Sequence, residues 1–250
     1  MFSKIFVLAL AITPLVAAHG KVAVVTGDAG GNGTALAIKG AVVPGPGPNS
    51  KTEVDTTVFG KTNILSDGLG KTTGQGKNTV TMLKQAMALS GSTLPQVSAD
   101  GNGAISGTFH IVTTDGAGPI QAVIDPTGTG SFSNGTLLTT VTQVPGTKGN
   151  IAAPKQRSLW ARALIGMGIM KRAANVNEDF PMKFSVPAGT TCSGTIAGQT
   201  GVCLVKIANS NKAGPFGGVV AIQMAGTAGT AATATPTAAA AAKRAEEFTA

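Results

Sequence analysis

The sequence predicts an all-β sandwich with long loops and a disordered C-terminal tail. Three observations carry that prediction. The 250 residues include 35 Gly and 13 Pro, with only 4% aromatic and 12% charged residues and no Tyr, the makeup of a turn-rich β protein. Short runs of Val, Ile, Thr and Phe recur between Gly, Pro, Asn and Asp, which argues strands joined by turns rather than alternating strands and helices. A hydrophobic content of 42% is too high for a chain disordered throughout. No Gly-X-Y period or sustained heptad is present, so collagen and coiled coil are excluded.

Residues 1–18 read as a secretory signal peptide. Lys4 supplies the charge, residues 5–12 the apolar stretch, and Val16-Ala17-Ala18 the small-residue cleavage site. The apolar run is far short of the roughly 20 residues needed to span a bilayer, and no later stretch qualifies. The expectation is a secreted, extracellular protein without a transmembrane anchor, beginning at His19. The sandwich domain then covers 19–224. Its expected strands are 22–25, 35–43, 104–113, 121–124, 137–144, 180–186, 202–208 and 217–224, with loops over 44–77 and a short helix near 79–90. Residues 180–186 alternate apolar and polar as a half-buried strand does, and Pro181 places them near a sheet edge. Residues 154–174 are basic and carry the lone Trp160. They read as a surface insertion, with an amphipathic helix against a membrane or partner as the alternative. Residues 225–250 are mostly Ala and Thr, a low-complexity tail. Dibasic pairs at Lys171-Arg172 and Lys243-Arg244 are candidate processing sites.

The formal net charge is +8, but the cations are dispersed and aromatic stacking residues are few, which argues against nucleic acid. An anionic wall or membrane surface is the milder implication. Cys192 and Cys203 are the only cysteines, and outside the cell they are expected to pair. Asn32-Gly-Thr and Asn134-Gly-Thr are N-glycosylation sequons.

Only two histidines occur, His19 and His110, and the first falls at the expected mature N-terminus. An N-terminal His offers its amine and ring Nδ1 to one metal ion. A second imidazole completes a T of three nitrogens, a set that suits Cu(II). In the stretch around His110, strand alternation puts Ile105, Phe109 and Ile111 on one face and Ser106, Thr108 and His110 on the other. The two histidines are therefore the candidate copper ligands, and an exposed strand histidine is the plain alternative for His110. The turn after it begins with Asp115, which reads as a turn residue or as a carboxylate orienting His110 from behind.

Several short motifs stand together: His19-Gly20, Gly27-Asp-Ala-Gly-Gly31, Asp115-Gly-Ala-Gly-Pro119, Val144-Pro-Gly146, Cys192-Ser-Gly194 and Ala213-Gly-Pro-Phe-Gly-Gly218. By these the chain resembles the Egh-like (MAS-type) family over roughly 19–224. The resemblance implies a secreted fungal protein associated with appressoria, virulence and early infection. The N-terminal His is also similar to that of lytic polysaccharide monooxygenases, copper enzymes on an immunoglobulin-like or fibronectin-like β-sandwich. That second resemblance implies a histidine brace of His19 and His110, with Phe216 at the axial position. For Phe216 the competing role is a core residue beside a Gly turn.

Other chemistries lack their signatures. No carboxylate pair has a context for glycosidase work, no Gly-x-Ser-x-Gly elbow is present, and Gly70-Lys-Thr-Thr lacks the P-loop spacing. Three functions follow: copper-dependent oxidation of a cell-wall or host-surface polysaccharide, non-catalytic copper binding on a surface-acting infection protein, and a structural or adhesive role. The catalytic residues stay unassigned.

Overall fold

The computed structural model describes residues 19–40, 53–152 and 175–226. The expected signal peptide, the expected insertion at 154–174 with Trp160, both dibasic pairs and the tail beyond 226 lie outside the described residues.

Long extended stretches occur where the sequence is richest in Val, Ile and Thr, whose branched side chains suit a pleated, half-buried surface. The strands are β1 (Gly20–Gly27), β2 (Gly30–Gly33), β3 (Thr57–Val58), β4 (Lys71–Thr72), β5 (Gly76–Lys77), β6 (Gln96–Val97), β7 (Ala104–Thr113), β8 (Ile120–Asp125), β9 (Thr136–Leu137), β10 (Thr139–Thr142), β11 (Asn175–Ser185), β12 (Gly194–Ile196), β13 (Gln199–Asn209) and β14 (Phe216–Met224). Among the described residues one short helix, α1 (Leu83–Ser90), follows a 3-10 turn at Val80–Met82. The architecture is all-β, as expected.

The strands form one sheet in the order β10-β11-β7-β1-β14-β13-β8-β9. All pairs along this path are antiparallel except β1 with β14, where Lys21 lies opposite Gly217. The two ends of the order are neighbours in the chain. β9 pairs with β8, β10 pairs with β11, and between them the Leu138 amide donates to the Ala122 carbonyl. The ribbon 136–142 thus closes the sheet on itself, removing the long open edges that invite pairing with other chains.

The inward faces meet in a core built from Val22, Ile105, Phe109, Ile111, Ile124, Phe184, Val205, Val220 and Ile222. The outer face of β8, β13 and β14 is covered as well, by Leu36, Phe59, Ile64, Leu83 and Leu94 from the connection between β2 and β6. β14 is therefore buried along its whole length, and a strand covered on both faces reads as a continuous apolar run. Cys192 and Cys203 form the expected disulfide.

Two expectations change. Residues 35–40 form no strand. Ala37 adopts a left-handed φ of 66°, and the segment is apolar because it plugs the sandwich: Leu36 donates its amide to Val219, while Ala35 and Leu36 are fully buried. The loops of 53–77 contain the three short strands β3, β4 and β5. Pro181 lies where only β7 flanks β11, because β10 pairs with Lys183–Ser185 alone. That is a local edge, where a missing amide donor does no harm.

Candidate functional site

Most of the motifs meet at one end of the sandwich, where β1 and β14 begin and β7 and β13 finish. His19 immediately precedes β1, and its carbonyl accepts amides from Val112 and Thr113. The turn 114–119 folds back over it. Gly118 donates to Pro145 and Gly149 to Gly118, joining the Asp-Gly-Ala-Gly-Pro and Val-Pro-Gly turns. Asn209 and Asn211 hold this end together. Asn209 donates to the Ala117 carbonyl and accepts the Phe216 amide, while Asn211 donates to the carbonyls of Asp115 and Gly149. The approach at Gly116 is so close that a Cβ there would overlap the His19 carbonyl. The Gly27-Asp28 motif belongs to the opposite end, where the Asp28 carboxylate accepts the amides of Ser98 and Ala104.

His19 is buried, with its ring 4.3 Å from that of Phe216 between centroids and tilted by 52°. Its Nδ1 lies 2.6 Å from Thr113 Oγ1 and is paired with the Asp115 carboxylate. The Thr113 hydroxyl donates to the same Asp115 oxygen at 2.6 Å. Burial pushes the Asp115 carboxyl up, but hydrogen bonds from His19 and Thr113 and the His19 charge hold it below its usual range.

His110 sits on the outward face of β7, as the alternation requires, with Lys21 of β1 on one side and Asp179 of β11 on the other. Its Nδ1 is 2.7 Å from Asp179 Oδ1. With Nδ1 turned to the carboxylate, Nε2 is the ring nitrogen left to meet a ligand. That Nε2 is buried and has no hydrogen-bond partner. Lys21 itself is buried and paired with Glu53 at 2.9 Å.

The register thus brings His19 and His110 to adjacent strands, yet each ring has its own carboxylate. Asp115 lies in the turn after β7, and its carboxylate stands on His19 rather than on His110 because that turn folds over the start of β1. Asp179 is the carboxylate on His110. Sequence reasoning missed that role because the pair is 69 residues apart and joined only by the β7–β11 register. Phe216 is fully buried and also lies against His19, so its core and site-lining roles coincide. Asn32 and Asn134 are both exposed, as sugar attachment would require. Among the described residues no group of three or more His, Cys, Asp or Glu side chains gathers as a metal site, and no helix is long and apolar enough to cross a membrane.

The Egh16-like virulence factor family model matches residues 17–217. The chain is 36% identical over 218 residues to appressoria-specific virulence factor GAS1 of Pyricularia oryzae, covering 86% of this chain and 75% of that protein. It is 35% identical over 132 residues to appressoria-specific virulence factor GAS2 of the same fungus, covering 51% of this chain and 37% of that one. No solved structure matches the chain.

Proposed function

Because this chain belongs to the Egh16-like virulence factor family, we propose that it is a secreted fungal infection protein whose working surface is a copper site at His19 and His110. The observation that carries the reading is the His110 ring. A buried imidazole nitrogen without a hydrogen-bond partner is costly, and an Nδ1 held by a carboxylate is the usual support of a metal-ligating histidine. Both conditions meet at His110, so this residue fits a metal. His19 fits through its amine once residues 1–18 are removed, and its Nδ1 would have to leave the Asp115 carboxylate. Bound copper would supply one-electron redox chemistry toward oxygen or peroxide, with a surface polysaccharide as the substrate class. Asp179 would fix the ring of His110, and Phe216 would shield one side of His19.

A second reading has its own support. The His19 Nδ1 already has two partners, and the His19 carbonyl anchors the end of β7. This favours a structural or adhesive surface protein in which His19 ties β1 to the 114–119 turn, with non-catalytic copper binding as an intermediate case.

Copper titration with electron paramagnetic resonance separates the readings. Protein starting at His19 is expected to give a tight axial Cu(II) signal. His110→Ala and a version with one extra N-terminal residue are expected to lose it. Asp179→Asn is expected to weaken affinity by about 10–100-fold, the usual effect of removing a ligand's supporting carboxylate. Weak binding unchanged in all variants overturns the copper reading and leaves the structural one.

A further inference from the structure

A cleft of about 590 Å³ opens beside this end of the sandwich, lined by Thr62, Lys148, Asn150, Ser210, Asn211 and Lys212. Its size falls within the range of roughly 300–1,000 Å³ common to small-molecule sites. Two of the six side chains are cations, none is a carboxylate, and none is aliphatic or aromatic. Lys148 and Lys212 are exposed, and neither takes part in an ion pair among the described residues. Two lysines line one cavity with no carboxylate among its described lining residues, and such a charge balance favours an anion.

The walls are held in place. Asn211 is buried, with its amide nitrogen on the carbonyls of Asp115 and Gly149 and its oxygen on the Ala213 amide. Asn150 donates its side-chain amide to the Lys148 carbonyl, and its backbone is bridged to Thr147. Lys148 stands at the tip of this turn with a left-handed φ of 52°.

The lining also selects the chemistry of the occupant. Without an aromatic face there is no platform for stacking nucleobases, and the carbon surface of the cleft comes from the stems and backbone of Lys, Thr, Ser and Asn rather than from aliphatic side chains. Thr and Ser hydroxyls and the Asn amide both donate and accept, as a ligand dense in hydroxyl groups requires. We infer that this cleft binds an acidic saccharide, a chain of hydroxylated rings bearing carboxylates that meet Lys148 and Lys212. The site borders His19 through one shared contact: Asn211 holds the Asp115 backbone, and the Asp115 side chain holds His19. The inference rests on the polysaccharide part of the reading above but needs no metal.

Calorimetric titration of metal-free protein tests it, using an oligomer of galacturonic acid, its methyl ester and anionic phospholipid vesicles as probes. The acid is expected to bind at least tenfold more tightly than the ester, with affinity falling as salt rises. Lys148→Gln with Lys212→Gln is expected to cut that affinity about tenfold while the thermal unfolding curve stays in place. The single variant Lys212→Glu, which removes the same two units of positive charge, is expected to weaken binding to a similar degree at the same melting temperature. Equal affinity for acid and ester, indifference to these variants, or binding to vesicles in place of the saccharide overturns the inference. Copper titration reads the His19–His110 site and this titration reads the cleft, so failure of one is distinguishable from failure of the other.

Discussion

Lys206 lies fully buried on β13, its ammonium 4.2 Å from the centroid of the Phe59 ring and 5.6 Å from that of Phe132, with the Ser66 carbonyl as its acceptor. Burial lowers its pKa from 10.5 to about 8, against the opposing pull of Asp67. Between those two values the unfolded chain binds more protons than the folded one, so the Lys206 contribution makes stability rise with pH across that window. The full difference corresponds to about 3 kcal/mol at most. Denaturant midpoints measured from pH 7.5 to 10.5 are expected to show the rise, and Lys206→Met is expected to flatten it. Asp115 has the ordinary carboxylate sign. Its carboxyl is held low in the folded state, so its contribution is present above the unfolded value near 3.8 and is lost as pH falls through the folded one. Residues of both kinds were hard to read from the sequence. Lys206 is one cation in an apolar run, and nothing local announces that Phe59 and Phe132 will enclose it. The histidines were legible because only two exist and one follows the expected cleavage site. Their carboxylates were not, since Asp179 reaches His110 through strand register and Asp115 reaches His19 through a turn.

β7 shows how an element can be read before it is seen. Its ten residues, Ala104–Thr113, coincide with the expected strand, because Phe109 and Ile111 alternate with Thr108 and His110 and turn residues close both ends. The run 35–43 shows the opposite case. A short apolar stretch says only that it will be buried, and at 35–40 burial comes from plugging the sandwich while Ala37 turns left-handed. The turn after β7 depends on one glycine. Gly116→Ala would force a Cβ onto the His19 carbonyl, and the backbone cannot move aside without opening the pairs from His19 to Val112 and Thr113. The expected cost is about 1–3 kcal/mol, as for other overpacked positions, measured by chemical denaturation.

At the scale of the whole molecule, closure depends on the ribbon of β9 and β10, which serves both ends of the strand order. Leu138 sits at its centre, nearly buried in the main core. Leu138→Ala is expected to cost about 2–4 kcal/mol through the cavity it leaves. Amide exchange is expected to quicken at β8 and β10–β11 together, because both ends of the sheet share this ribbon. Faster exchange at β8 alone would show that the two ends separate independently. The all-β class, most strands, the helix, the disulfide and the two histidines follow from the sequence by itself, because composition, alternation and turn residues are local signals that survive without the fold. Only the tertiary structure decided that the sheet closes, that the motifs around His19, Asp115, Val144 and Phe216 gather at one end, and which carboxylate stands on which histidine. Those outcomes depend on register between strands far apart in the chain, and register is set by the packing of the whole core rather than by any stretch of residues within it.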